Sequence, residues 1–220
     1  MKRRGEYQRR PGGGSASGRG GRARGRPSGQ VRIVGGAFRG RRIRVADAPG
    51  LRPTPERTRE TLFNWLQGEL EGARVLDLFA GSGALAFEAL SRGAAYAVLV
   101  EKHRGAAVAL REAADALDPQ RARVVEADAL RWLGRADVPP PFDLVFLDPP
   151  FATALAARAL DALAEGPLLS PDGCVYVEWP ADADAPANPA QWTVRSETRS
   201  GDSRAALLVP KASDPSTTAA

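Results

Sequence analysis

Apolar and polar positions along the chain form two kinds of segment that meet near Val31. Residues 1–30 hold almost no bulky apolar side chain, whereas short apolar runs recur from residue 74 onward. Apolar runs of this length, bounded by glycine or polar residues, are typical of buried β-strands. On this pattern we predict strands at residues 74–79, 96–100, 123–126, 144–147 and 174–179.

Between these strands, apolar positions recur at helical spacing. We predict helices at residues 84–92, 103–117, 129–133 and 153–165. Strands that alternate with helices in this way form right-handed crossovers and a parallel sheet covered on both faces. The last two predicted strands are instead joined by a short turn, which indicates an antiparallel hairpin at one edge. They span residues 191–197 and 205–209.

The segment before the sheet predicts a hairpin followed by a helix. Residues 31–34 and 42–45 are the predicted hairpin strands. Thr54 is the predicted N-cap of the helix, with Pro55 at its first position and Glu56 in its first turn. The apolar face of this helix comprises Leu62, Trp65 and Leu66, and its end is expected near residue 67.

These patterns divide the chain into four parts. Glycine, proline and arginine dominate the first 30 residues, which cannot bury enough surface to offset the entropy of ordering. We therefore predict a disordered tail, a hairpin-and-helix extension, a main α/β domain and a frayed terminus. Their boundaries are 1–30, 31–70, 71–210 and 211–220.

The charge is unevenly distributed. Residues 1–30 carry a net charge of +8, residues 31–60 carry +5, and the remaining residues carry −8. Such asymmetry suggests that the N-terminal part meets a polyanionic partner. A compositional bias toward arginine, alanine and glycine explains the same numbers, so charge alone leaves both interpretations open.

Several classes of protein are excluded by what the sequence lacks. It has no apolar stretch of the ~18 to 20 residues that a membrane span needs, and no apolar region follows the basic N-terminus as in a secretory signal. With a single cysteine, Cys174, and a single histidine, His103, we expect neither an internal disulfide nor a bound metal. We expect a cytoplasmic protein, with Cys174 buried as a small apolar residue and His103 at the surface or capping a helix.

A glycine-rich turn follows the first strand of the main domain. It comprises Asp77, Leu78, Phe79, Ala80, Gly81, Ser82 and Gly83. Ligands of open α/β sheets bind at such turns, and Glu101 at the end of the next strand can accept hydrogen bonds from ribose hydroxyls. Residues 81–86 also match the G-x-G-x-x-A pattern of a dinucleotide-binding oxidoreductase, and a turn without any ligand is a further alternative.

A second motif, Asp148-Pro149-Pro150-Phe151, follows the fourth strand of the domain at the same edge. The two prolines end the strand and stiffen the loop, so the Asp148 carboxylate and the Pro149 carbonyl become fixed acceptors. Acceptors of this kind can hold both protons of an exocyclic base amine and aim its lone pair at an electrophile, while Phe151 stacks on the base. The alternative is a strand-ending turn with a surface acid.

The two motifs together resemble the S-adenosylmethionine-dependent amino-methyltransferases that modify base nitrogens. The chain is more closely similar to the bacterial 16S ribosomal RNA guanine-N2 methyltransferases that act on the guanine at position 966, over about residues 31–179. This resemblance is carried by the motifs RIVGG at 32–36, GLRPT at 50–54, RETLFNWL at 59–66, DLFAGSGA at 77–84 and EALSRG at 88–93.

The resemblance implies a Rossmann-like sheet of seven strands and a set of cofactor contacts. Asp77 and the backbone of Phe79, Ala80, Gly81, Ser82 and Gly83 would hold the methionyl part of S-adenosylmethionine. Glu101 would bind its ribose, and Asp128 would accept from its adenine amino group. Asp148, Pro149, Pro150 and Phe151 would orient the target guanine.

The resemblance also implies the small ribosomal subunit as partner. The arginines assigned to RNA phosphates are Arg32, Arg39, Arg41, Arg42 and Arg44. Arg57 and Arg59 either reach RNA or cofactor or lie on a solvated helix face. The chain is expected to act as a monomer, and it departs from the family in lacking a tyrosine in residues 201–206.

Three other functions remain open at this point. The first is methylation of adenine N6 or of another nucleic-acid amine. The second is a nicotinamide-dependent dehydrogenase, and the third is a non-catalytic RNA-binding module.

Overall fold

The computed structural model describes residues 29–46, 55–135, 141–150 and 153–211. The predictions for residues 1–28, Thr54, Phe151 and the last nine residues concern positions outside these ranges. The predicted end of the disordered tail at residue 30 is wrong, because Gln30 pairs with Arg44 in the first strand.

The described residues form the strands and helices expected from the pattern, with ends shifted by a few residues. The strands are β1 Gln30–Arg32, β2 Arg42–Arg44, β3 Arg74–Asp77, β4 Tyr96–Glu101, β5 Ala122–Glu126, β6 Phe142–Leu147, β7 Leu169–Pro180, β8 Trp192–Ser200 and β9 Ser203–Pro210. The helices are α1 Glu56–Trp65, α2 Ala84–Ser91, α3 Arg104–Leu117, α4 Ala129–Leu133 and α5 Thr153–Glu165.

Seven strands form one mixed sheet in the order β5-β4-β3-β6-β7-β9-β8. Strands β3 to β7 pair in parallel, and β9 is antiparallel to both β7 and β8. The predicted Rossmann-like sheet with an antiparallel edge is therefore confirmed. Its topology brings the carboxyl ends of β4, β3, β6 and β7 side by side, which is where ligands of such sheets bind.

Alternate residues of each strand point to opposite faces of the sheet, and each face carries its own core. On one face, Leu144 and Phe146 pack with Phe63 of α1 and Leu110 of α3. On the other, Val145 packs with α4 and α5 side chains. Trp179 belongs to this second core, and Cys174 is buried in the first, as the sequence predicts.

The hairpin of β1 and β2 is attached to helix α2 through one buried carboxylate. The side chain of Glu88 is fully buried and accepts from the backbone N–H of Val34 at 2.8 Å and of Gly35 at 2.7 Å. Gly36 has a φ of +73°, and a Cβ atom there would collide with the carbonyl of Ser91. Glycine at position 36 is thus required by the close approach of the hairpin loop to the end of α2.

The predicted position of Pro55 in helix α1 is wrong. Pro55, with φ −54° and ψ 145°, precedes the helix as its N-cap residue instead of occupying its first position, because this ψ is extended rather than helical. Arg59, for which the sequence left open both a contact with RNA or cofactor and a solvated helix face, is buried. Its Nη1 lies 3.6 Å from Glu88, and its Nη2 donates to the Arg32 carbonyl at 3.0 Å, so the solvated alternative is excluded. Burial lowers the pKa of this guanidinium, and the charge of Glu88 opposes that effect.

Candidate active site

Four acidic residues line the carboxyl edge of the sheet at the ends of adjacent strands. We call them the carboxylate row: Glu101 ending β4, Asp77 ending β3, Asp148 after β6 and Glu178 near the end of β7. In each case, the residue two positions earlier belongs to the core that contains Phe63 and Leu110. Because residues two apart in a strand point to the same face, all four acids belong to that face of the sheet. Sequence reasoning identified three members of the row and missed Glu178.

Asp77 is the most deeply buried member of the row. Burial raises the pKa of its carboxyl group to about 8, and the neighbouring charge of Asp148 acts in the same direction. The backbone N–H groups of Ala86 and Phe79 partly offset both effects. Asp77 and Asp148 therefore lie close enough to interact, at the ends of the neighbouring strands β3 and β6.

The glycine turn is held against Glu101 by backbone hydrogen bonds. The N–H of Gly81 donates to Glu101 Oε2 at 2.9 Å, and the N–H of His103 donates to Oε1 at 2.7 Å. Gly83 has a φ of +75°, and a Cβ atom there would collide with the side chains of Phe87 and Leu110. Glycine at this position therefore serves the packing of α2 as well as the turn.

His103 and Asp128 are both helix caps. His103 Nδ1 accepts from the Ala106 N–H at 3.4 Å, which confirms its predicted capping position at α3. Asp128 follows β5 and accepts from the Arg131 N–H at 3.1 Å, so one of its oxygens caps α4. Its side chain is exposed, at the end of the strand next to β4.

The carboxylates at this edge of the sheet suit a cationic ligand that carries hydroxyl and amino groups. In sheet order, Asp128, Glu101 and Asp77 present carboxylate oxygens, which accept hydrogen bonds and attract positive charge. S-adenosylmethionine offers, in the same order, an adenine amine, ribose hydroxyls and then the positively charged sulfonium and methionyl ammonium. The residues present therefore fit this cofactor.

Asp148 occupies the centre of the row. Pro149 is buried and Pro150 is exposed, so the loop leaves the sheet directly after Asp148, whereas Phe151 lies outside the described residues. Burial and the charge of Glu178 raise the pKa of Tyr176 well above its ordinary value, and Asp148 adds to this effect. The charge of Asp148 raises the pKa of both Asp77 and Tyr176. This agrees with the strand order, which places Asp148 between β3 and β7.

The five arginines assigned to RNA are exposed but divide into two groups. Val31 and Val45 pack on Ala84, at the start of α2 beside the glycine turn. The hairpin loop meets the opposite end of α2, so the hairpin runs along this helix, a distance of roughly 10 Å. Arg32, Arg42 and Arg44 belong to the strands, whereas Arg39 and Arg41 belong to the loop end. Arg41 Nη2 donates to the Ala116 carbonyl of α3 at 2.7 Å.

The described residues offer neither a metal centre nor a membrane-spanning helix. They contain no group of three or more His, Cys, Asp or Glu side chains arranged to hold a metal ion. No helix in the described ranges combines the length and apolar character needed to cross a membrane.

Comparison with known proteins identifies the family. The family model described as Conserved hypothetical protein 95 matches residues 31–209. The chain belongs to this family. The family resemblance inferred from the sequence motifs is thereby confirmed.

Curated relatives of the family cover most of the chain. Ribosomal RNA small subunit methyltransferase D of Escherichia coli K12 is 43% identical over 174 residues, which are 79% of this chain and 87% of the relative. The protein of the same name from Haemophilus influenzae is 41% identical over 176 residues, with 79% and 90% covered.

Solved structures agree with the family assignment. A methyltransferase from Escherichia coli has a TM-score of 0.77 at 38% identity, covering 84% of this chain and all of that one. A methylase from Haemophilus influenzae has a TM-score of 0.70 at 37% identity, covering 82% and 98%. The chain is therefore a methyltransferase of this family, which favours methyl transfer over the dehydrogenase alternative.

Proposed function

We propose that this protein transfers a methyl group from S-adenosylmethionine to the exocyclic N2 amine of a guanine in 16S ribosomal RNA, at position 966. The substrate class is supported by the Escherichia coli and Haemophilus influenzae relatives, whose names specify the small ribosomal subunit. The reaction type is supported by the carboxylate row and the glycine turn of this chain. This substrate also implies a cytoplasmic protein, and we propose that it acts as a monomer.

The observation that carries the proposal is the position of Asp148 at the end of β6, between the strands that carry Asp77 and Tyr176. A carboxylate held there by two prolines accepts one proton of a base amine, and the Pro149 carbonyl accepts the other. The nitrogen lone pair is then turned away from both acceptors, toward the side of the pocket lined by Asp77. Asp148 is thus a positioning acceptor rather than a strong base, and catalysis comes mainly from alignment.

The residues that would hold the cofactor are Asp77, the turn from Phe79 to Gly83, Glu101 and Asp128. S-adenosylmethionine supplies, when bound, an electrophilic methyl group on a positively charged sulfur. The buried carboxylate of Asp77 compensates positive charge at this point. Glu101 fixes the turn through the Gly81 N–H, and the remaining lone pairs of its carboxylate would accept from the ribose hydroxyls.

The RNA would approach across the exposed arginines of the hairpin. Arg32 and Arg44, on the strands whose valines pack beside the glycine turn, would contact phosphates close to the target nucleotide. Arg42, which pairs with Arg32 in the hairpin, would contribute beside it, and Arg39 and Arg41 would contact phosphates farther along the strand. The guanine must leave its stack to enter the pocket.

The proposal is tested by mapping methylated nucleotides in small ribosomal subunits prepared from a strain that lacks its own enzyme. The full chain and S-adenosylmethionine are added, and the RNA is digested and measured by mass spectrometry. We expect one N2-methylguanine at position 966, and none with Asp148→Ala. Methylation of adenine N6, or binding of the subunit without methyl transfer, would overturn the assignment in favour of the alternatives.

A further inference from the structure

Glu178 and Tyr176 form a buried polar pair that the proposed mechanism does not use. The Tyr176 hydroxyl donates to Glu178 Oε1 at 2.8 Å, and the glutamate is only 8% exposed. Burying a carboxylate costs free energy unless it is hydrogen-bonded, so its place in an apolar strand requires an explanation. Its neighbours along β7 are Val177 and Trp179, which belong to the core.

The strand register places Glu178 beside Asp148. Phe146 pairs with Tyr176 and Leu147 pairs with Val177, so residues 148 and 178 are the next in line. Adjacent strands lie about 4.8 Å apart, which is within the reach of two carboxylate side chains that hold one flat ligand. The ring contact between Phe146 and Tyr176, at a centroid distance of 6.2 Å, shows that this register also governs the side chains on this face.

The sheet order places Glu178 on the substrate side of the site. Asp128, Glu101 and Asp77, the proposed cofactor ligands, all lie on the β3 side of Asp148, and Glu178 lies on the β7 side. A base whose amine is held at Asp148 therefore extends toward β7. The next acceptor that it meets on this face is the Tyr176–Glu178 pair.

Guanine matches two adjacent acceptors. Its N2 amine and its N1–H are neighbouring donors, whereas adenine presents an unprotonated N1 that would face a carboxylate unfavourably. We propose that Glu178, oriented by Tyr176, accepts the N1–H of the target guanine while Asp148 and Pro149 hold its N2 amine. This inference rests on the proposed function and adds to it a residue that selects the base.

A purely structural role for the pair has different consequences. If the Tyr176–Glu178 hydrogen bond only stabilised β7, its loss would lower the stability of the protein and the turnover of all substrates alike. A residue that accepts the N1–H would affect most strongly those bases that carry this proton. Discrimination between bases is therefore the readout that separates the two roles.

The experiment compares target RNA containing guanine with the same RNA containing 2,6-diaminopurine at the methylated position. Diaminopurine keeps the 2-amino group but has no proton on N1. We expect the full-length protein to favour guanine in kcat/KM, and Glu178→Gln to reduce this preference at least about tenfold, because its amide can donate to the bare N1. Affinity for S-adenosylmethionine should remain within about threefold. Glu69→Gln, in the exposed ion pair with Arg195, is the matched control and should leave the preference unchanged.

The outcomes separate this inference from the proposed function. Absence of methyl transfer to guanine by the unmodified protein refutes the proposed function itself. Methyl transfer without any preference for guanine, or an equal loss on both substrates in Glu178→Gln, refutes only the role of Glu178. Should Glu178→Gln fail to fold, Tyr176→Phe keeps the ring and removes the hydroxyl. A reduced guanine preference in that variant supports the inference, and an unchanged preference overturns it.

Discussion

Asp77 and Asp148 show how much of the chemistry depends on two side chains that come together at the ends of β3 and β6. Each raises the electrostatic cost of ionising the other, and a positively charged ligand between them relieves that cost. The pair is therefore suited to a cation in the cofactor position. The role of Asp148 in catalysis and the role of Asp77 in cofactor binding can therefore be tested by substituting one residue at a time.

Removal of the Asp148 carboxylate should reduce catalysis and spare cofactor binding. We expect Asp148→Ala to lower kcat at least about 100-fold, because the amine loses its alignment. The dissociation constant for S-adenosylmethionine, measured by calorimetry, should stay within a few fold. A variant with normal turnover would remove Asp148 from the mechanism.

Cofactor affinity should rise with pH up to about 8. The pKa of Asp77 is about 8 in the protein without ligand, so the group is largely protonated at neutral pH. A cationic ligand favours the ionised form, and binding below pH 8 therefore releases a proton and strengthens as the pH rises. Calorimetry in buffers of different ionisation enthalpy at pH 7 should detect this proton. Asp77→Asn should abolish the release, and affinity independent of pH between 6 and 8 would contradict the prediction.

At the scale of the elements, the attachment of the hairpin to helix α2 depends on Glu88. Its carboxylate accepts from two hairpin N–H groups and from Arg92 Nε at 2.8 Å, and it neutralises the buried Arg59. The hairpin buries Ile33 and Ile43 in the same core as helix α1. One side chain thus fixes the orientation of the predicted RNA-binding strands relative to the sheet.

Glu88→Ala should lower the free energy of unfolding by about 3 to 5 kcal/mol, because it leaves a buried guanidinium and two N–H groups without their acceptor. Urea denaturation measures this loss. Glu112→Ala, at an exposed position of α3, is the control and should change stability by less than about 0.5 kcal/mol. A loss as small as the control's would show that the hairpin is held by its apolar contacts alone.

Over the whole molecule, the charge is divided between a basic N-terminal part and an acidic remainder. The described arginines of the hairpin are exposed along α2, and the chain enters the described region at Gly29, whose carbonyl accepts from the Val45 N–H at 2.9 Å. This end of the hairpin lies beside the glycine turn. The basic residues 1–28 are therefore joined to the protein near the proposed site.

Deletion of residues 1–28 should weaken RNA binding and flatten its dependence on salt. Each phosphate contact that is lost should reduce the slope of log affinity against log salt by about 0.7 to 0.9. Binding titrations at several salt concentrations measure the slope, and thermal unfolding checks that the fold is intact. Arg158→Ala on helix α5, on the opposite face of the sheet, should leave the slope unchanged. An unaltered slope after the deletion would show that the tail makes no phosphate contacts.

Much of this protein is determined locally and could be predicted from the sequence. Short apolar runs predicted the strands of the sheet, and the 3.6-residue period predicted the helices, because burial imposes these patterns on each element separately. The glycine turn and the Asp148-Pro149-Pro150 loop were also predictable, since glycine and proline act on their own backbone.

Only the tertiary structure decided which side chains meet. The sequence left the surroundings of Arg59 open until the fold placed Glu88, 29 positions later, against it. Glu178 became part of the row only when the register aligned β7 with β6. The one signal for Glu178 in the sequence was an acid within an apolar strand. Contacts of this kind depend on strand order and packing, which join residues far apart in the chain, so no local pattern of hydrophobic and polar positions could determine them.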